Sequence, residues 1–285
     1  MLKLMYITSS PEVARIAESA GVDRIFVDME YIGKGARQGG MDTVQCHHTP
    51  SDIRAIKGAV ERAEVMVRVN PIHEATGDYT SSLEEIDEAI AAGADILMLP
   101  YFKTAREVRK FVALVGGRAR TLPLVETPEA AESIDEILAV EGIDEIFVGL
   151  NDLSLGMGKN FMFELLADGT VERLADKFRE ASVPFGFGGI AALGRGMLPA
   201  ERVIREHYRL GSTCAILSRS FCNTSVITDL EEIKAIFGSG LTDIRALEAE
   251  CAEKLAVGDT EYFGSNRSEL VSAVDIIARK VREGK

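Results

Sequence analysis

Eight short apolar runs, each followed by a longer stretch of helical period, constrain this chain more than any other feature. The runs are LMYIT (4–8), RIFVDME (24–30), VMVRVN (65–70), DILMLP (95–100), TLPLVET (121–127), EIFVGL (145–150), PFGFGG (184–189) and TCAILS (213–218). The helical stretches fall at 11–20, 51–62, 82–92, 104–115, 128–140, 163–181, 199–210 and 229–237, several of them opened by Ser, Thr or Pro. Such alternation predicts parallel strands joined by crossover helices. The phrases AGVD (20–23), AGAD (92–95) and EGID (141–144) each put a glycine where a helix must stop and a strand begin. The expected fold is therefore α/β, a (β/α)8 TIM barrel with extra C-terminal helices: a barrel domain over 1–238 and a helical extension over 239–285. An open doubly wound sheet is the alternative. The tail helices would cap the barrel or reach a second copy, which makes a homo-oligomer the expected assembly.

Composition narrows the partners. With 285 residues the chain can bury roughly 75% of its unfolded surface, enough for a core without metal or disulfide staples. Its formal charge is −13 and its Lys and Arg residues are scattered, so it lacks the basic stripe that nucleic acid or an anionic membrane requires. No apolar stretch approaches the ~20 residues of a membrane span, and Glu12 and Arg15 interrupt the start where a signal peptide would stay apolar. A cytoplasmic location is expected. Cys46, Cys214, Cys222 and Cys251 show no C-x-x-C spacing, which argues against structural zinc and for buried or idle thiols.

In a barrel, chemistry collects where the strands end. Asp28, Glu30 and Tyr31 close the second run; Arg68 and Asn70 the third; Glu126 the fifth; Asn151 and Asp152 the sixth; Arg219 follows the eighth. Carboxylates from neighbouring strands, such as Glu126 and Asp152, would repel by roughly 4 kcal/mol at 4 Å, so they share a proton or hold a cation. Hard oxygen ligands suit Mg²⁺ or Mn²⁺. Singly, Asp152 also reads as the N-cap of a segment starting at Leu153, and Glu126 as a solvated carboxylate opening a helix. Arg68 lies on an apolar strand, where a guanidinium is costly unless Glu30, Glu126 or an anionic ligand meets it. The late stretch FGFGGIAALGRG offers backbone amides, and Arg195 and Arg219 could hold a carboxylate or phosphate; close glycine packing explains the same letters.

On the phrases FVDMEY, VRVN, ILMLP, VETPEA and IDEIFVGLNDLSLGMG, over roughly residues 10–220, the sequence resembles the HpcH/HpaI aldolase and citrate lyase family, metal-dependent lyases that work through an enolate. The resemblance implies that Glu126 and Asp152 bind the divalent ion, Mg²⁺ or Mn²⁺. It also implies that Arg68 holds the substrate's oxo and carboxylate oxygens. By their position at strand ends and in the late loops, Asn151, Glu30, Arg195 and Arg219 are further candidates for substrate binding. The implied activity is reversible aldol cleavage of a small acidic 2-oxo-4-hydroxy acid, sugar-derived in one version. A malyl- or citramalyl-CoA lyase of the citrate lyase beta type is the second enzyme reading, and a barrel that only binds a metabolite is the third.

Two departures matter. Where many pyruvate aldolases of the family carry a proton-transferring His directly after the Asp-x-Glu phrase, this chain has Tyr31, a poor base with an ordinary pKa of ~10. The next loop supplies His47 and His48, either of which could serve instead. The long segment that the aldolases carry between strands four and five is absent, and VRVN sits nearer the citrate lyase branch.

Overall fold

The computed structural model describes residues 1–33 and 48–284. In chain order the elements are β1 (Lys3–Ile7), α1 (Pro11–Ala20), β2 (Arg24–Asp28), α2 (Pro50–Lys57), β3 (Glu64–Arg68), α3 (Ser82–Ala92), β4 (Ile96–Leu99), α4 (Ala105–Val115), β5 (Arg120–Val125), α5 (Pro128–Glu132), α6 (Ile134–Leu138), β6 (Ile146–Val148), α7 (Leu150–Gly156), α8 (Glu164–Ala167), α9 (Thr170–Glu180), β7 (Phe185–Ile190), α10 (Ala200–Leu210), β8 (Cys214–Leu217), α11 (Leu230–Ala256) and α12 (Thr260–Glu283). The eight strands follow one another around a closed barrel, so the closed alternative, and not the open sheet, is the one realised. Contacts divide the chain into two compact units, residues 6–146 and residues 1–5 with 147–285.

In the unit 6–146 the strands are almost wholly apolar, as strands covered on both faces must be. Val65, Met66 and Val67 and the run Ile96–Leu99 are completely buried. The helices between them start and stop on local signals. Ser81 and Thr104 cap α3 and α4 in reciprocal capping boxes with Glu84 and Glu107. Gly21 and Gly93 end α1 and α3 at φ of 105° and 110°, a left-handed backbone that a side chain would strain. At the first residues of β2, β3 and β5 stands an ion-pair ring. Fully buried Arg24 donates Nε to Glu64 (3.1 Å) and both terminal nitrogens to Glu145 (2.8 and 2.6 Å). Arg120 joins the same two acids. Losing one of its buried members, Arg24 or Glu145, costs about 3–5 kcal/mol, so these charges belong to stability. The strand ends opposite remain for chemistry.

In the other unit, β7 and β8 pack so closely that a Cβ on Gly186 would lie 2.4 Å from the Cys214 carbonyl oxygen and Sγ. Close packing therefore accounts for the glycines of FGFGG. The N-terminal strand is tied to α11, since Leu2 donates its N–H to Glu248 (2.6 Å) and accepts from Arg245 at its carbonyl (2.8 Å). Arg267 of α12 donates to the Leu166 and Ala167 carbonyls, which closes the C-terminal end of α8. None of the described helices is long and apolar enough to cross a membrane.

Three helical expectations change. The stretch 128–140 breaks at Ser133, which leaves helical geometry at φ −92°, ψ 20°. The stretch 163–181 breaks at Asp168 and Gly169, the glycine adopting φ 81°. The last predicted helix, 229–237, instead runs on to Ala256, and residue 238 lies inside it.

His207 on α10 gives this unit a pH dependence. It is completely buried, stacked on Phe187 with centroids 3.8 Å apart, and its Nδ1 lies 2.8 Å from Ser212 Oγ. Among the described residues its Nε2 has no hydrogen-bond partner. Burial pushes its pKa down to about 3 from 6.5. The folded ring stays neutral while the unfolded chain takes up a proton, so this stability is complete above pH 6.5 and drains away as pH falls toward 3. Between pH 8 and pH 5 the loss is about 2 kcal/mol. Urea unfolding of wild type and His207→Gln at both pH values should show the variant losing less by that amount; equal losses would remove His207 as the cause.

Candidate active site at the strand ends

The centre of the unit 6–146 is Arg68, the last residue of β3. The parallel register sets Arg68 beside Asp28, the last residue of β2. Arg68 donates Nε to Asp28 Oδ1 (2.8 Å) and Nη2 to Asp28 Oδ2 (2.7 Å), the fork-to-fork geometry that fixes a guanidinium plane. Glu30 Oε2 lies 3.4 Å from the same Nε, and the guanidinium carbon stands 5.5 Å from the Phe26 ring centre. The sequence offered Glu30 or Glu126 as the ion-pair partner; the closest one is Asp28. Among the described residues none of these bonds uses Nη1. Burial alone would lower the arginine's pKa, but Asp28, then Glu30 and Glu126, outweigh it and raise it above the ordinary value.

Asp28, Glu30 and Glu126 are 2%, 1% and 5% exposed. Three buried carboxylates thus act on one guanidinium. Glu126 follows β5 directly; its Oε1 accepts the Tyr101 N–H at 2.9 Å. Tyr101 holds a left-handed φ of 46°, the strained turn that aims this N–H. Thr127, next along, donates its hydroxyl to the Phe102 carbonyl (2.8 Å) and caps α5, so the VETP phrase locks the loop after β4 to that after β5.

His48 returns to the end of β2. Its Nδ1 accepts the Asp28 N–H at 3.0 Å, so a neutral ring carries its proton on Nε2 and acts there as a donor. His47 lies outside the described residues. Tyr31 is 44% exposed and meets Tyr79 edge-on at 6.5 Å. Partial burial, then Glu85 and Tyr79, raise its pKa, which keeps the phenol protonated and makes it a poorer base still.

In the other unit, α7 starts at Leu150, with Gly149 as its N-cap. Asp152 is therefore inside the first turn and is not the N-cap of a segment beginning at Leu153. It is half-buried, and exposed Asn151 donates Nδ2 to its Oδ1 at 3.1 Å. Arg195 and Arg219 are exposed, on the segments after β7 and β8. Among the described residues no three His, Cys, Asp or Glu side chains form a ready-made metal cage.

The sequence gives no sign of Tyr101 or Glu85 at the site, and it places Asp28 and Asn70 at strand ends without a role. Asn70 Oδ1 accepts the backbone N–H groups of Tyr31 and Ile32, both at 2.9 Å. The only signal for Asp28 was its place at a strand end. Tyr101 gave none, because its contribution is a backbone N–H.

The geometry can be set beside known proteins. The family model for HpcH/HpaI aldolase/citrate lyase matches residues 3–164, more than half of the chain. A hydroxypyruvate/pyruvate aldolase of Roseovarius nubinhibens is 22% identical over 231 residues, covering 70% of this chain and 78% of that protein. A 4-hydroxy-4-methyl-2-oxoglutarate aldolase of Chaetomium globosum is 24% identical over 215 residues, covering 64% and 72%. The crystal structure of an HpcH/HpaI aldolase/citrate lyase family protein from Burkholderia cenocepacia superposes with a TM-score of 0.59 at 18% identity, covering 82% of this chain and 94% of that one. This chain belongs to the HpcH/HpaI aldolase/citrate lyase family, and with it to the carbon–carbon lyases.

Proposed function

We propose that this lyase cleaves a small acidic 2-oxo-4-hydroxy acid between C3 and C4 through a pyruvate-type enolate, with Mg²⁺ or Mn²⁺ as cofactor and Glu126 as a ligand of that ion. The observation that carries the reading is the convergence of three buried carboxylates, Asp28, Glu30 and Glu126, on Arg68 at the strand ends. The donors are carboxylate oxygens, which fit a hard dication. When bound, the ion supplies Lewis-acid polarisation of the 2-oxo group.

The chain's own residues do the rest. Arg68, held in plane by Asp28, offers its two Nη1 N–H groups to the 2-oxo and carboxylate oxygens of the substrate. As the C3–C4 bond breaks, its electron pair moves into the enolate and negative charge grows on the oxygen that Arg68 faces. The C4 hydroxyl gives up its proton to solvent, the fragment that carries C4 leaves as an aldehyde or ketone, and C3 takes up a proton to give pyruvate or a near relative. Tyr31 Oη and His48 Nε2 hold protons at the rim and act as hydrogen-bond donors. The relatives named as hydroxypyruvate/pyruvate and 4-hydroxy-4-methyl-2-oxoglutarate aldolases support a free oxo acid as substrate. The test is to offer 4-hydroxy-4-methyl-2-oxoglutarate and citramalyl-CoA separately and to follow pyruvate release. Turnover of the free acid is expected; turnover of the thioester alone would replace this reading with the acyl-CoA lyase.

A further inference from the structure

Asn70 stands two residues beyond Arg68, and its side-chain amide uses its whole bonding capacity. Its Oδ1 accepts the Tyr31 and Ile32 N–H groups, and its Nδ2 donates to the Met29 carbonyl (3.3 Å) and to Glu85 Oε1 (2.7 Å). The three backbone anchors, at Met29, Tyr31 and Ile32, bracket Glu30. Glu30 in turn donates its own N–H to Asp28 Oδ1 (3.2 Å), the oxygen that receives Arg68 Nε. Behind Asn70, Glu85 on α3 accepts the Asn70 N–H (3.0 and 3.2 Å) as well as the amide. Glu85 is 9% exposed, and burial pushes its pKa up against those two bonds from Asn70. A carboxylate on that face of α3 costs desolvation that an apolar side chain would not. What it obtains in return is the orientation of Asn70.

We propose that Glu85 is a positioning residue of the active site: through Asn70 it fixes the turn of residues 29–32 and so keeps Glu30 against Arg68. This rests on the enolate reading above for its kinetic consequence, but not for its structural one. The direction of each bond makes it testable. In Asn70→Asp a second carboxylate oxygen meets Glu85 and the Met29 carbonyl, so three acceptors crowd one place and the turn is released. Adding Glu85→Gln exchanges the amide and the carboxylate between the two positions and restores a donor between them.

Two measurements on wild type, Asn70→Asp, Glu85→Gln and the double variant decide the matter. One is hydrogen–deuterium exchange of the peptide covering residues 29–32; the other is metal-dependent exchange of pyruvate methyl protons. Asn70→Asp is expected to lose amide protection in that peptide and to lower methyl-exchange kcat roughly 100-fold, the size of one buried bond turned repulsive. The double variant should recover most of both, with KM changing less than kcat throughout. A double variant no better than Asn70→Asp, or an Asn70→Asp variant with wild-type protection and rate, would overturn the proposal. If wild type itself exchanges no methyl protons, the enolate reading fails, and recovery of amide protection in the double variant alone decides for or against the Glu85–Asn70 link.

Discussion

Arg68→Ala is expected to lower kcat/KM by roughly 10³-fold, because under the proposed mechanism it removes donors aimed at the oxygen where charge develops. It also strips Asp28 of both its bonds to the guanidinium and leaves Glu30 without the cation 3.4 Å away. Part of any loss could then come from an unsettled site, so Arg68→Lys is the companion. Lysine keeps the charge but cannot match both Asp28 oxygens in one plane. A rate roughly 10²-fold below wild type is expected for it, with less thermal destabilisation than in Arg68→Ala. Circular dichroism melts beside methyl-exchange rates separate the two contributions. Wild-type turnover in either variant would refute the role proposed for Arg68.

Glu126→Gln has the second large effect, and its sign on stability opposes its sign on activity. The glutamine retains an oxygen to accept the Tyr101 N–H, so the loop after β4 keeps its anchor. What disappears is one of three buried negative charges facing Arg68. The metal-free protein should become more stable by on the order of 1 kcal/mol, as expected when repulsion between partly screened like charges is relieved. Activity should fall by roughly 10³-fold or more, with Mn²⁺ affinity, read by titration calorimetry, falling alongside it. Undiminished Mn²⁺ binding would take Glu126 out of the metal site even if activity were lost.

The eight strands were legible because buried β-branched runs and Gly-closed helices repeat, and that repetition survives any local misreading. Glu126 was legible for a related reason: a carboxylate at the end of an apolar run, followed by a Thr cap and a Pro, has one place in a βα unit. Arg68 stood out by its cost on an apolar strand. Its partner did not, because Asp28 and Arg68 lie 40 residues apart and only the β2–β3 register places them side by side. Glu85 was hidden differently. In SLEEIDEAIAA it looks like one more solvated acid, and only the tertiary fold turns that face of α3 toward Asn70. The sequence reading ends a helix at 237, whereas α11 continues to Ala256. In the structure a Cβ on Gly240 would lie 2.7 Å from the Phe221 ring, so this glycine makes room for a side chain and does not end the helix.

Enolate chemistry organised by Arg68 and a divalent ion is the claim on which the rest depends. Its most direct test is exchange of pyruvate methyl protons with D₂O, followed by proton NMR, using enzyme stripped of metal and then resupplied with Mg²⁺ or Mn²⁺. Exchange that requires both enzyme and ion, and that Arg68→Ala suppresses, is the predicted result. No exchange with either ion, or equal exchange by stripped enzyme, would contradict it.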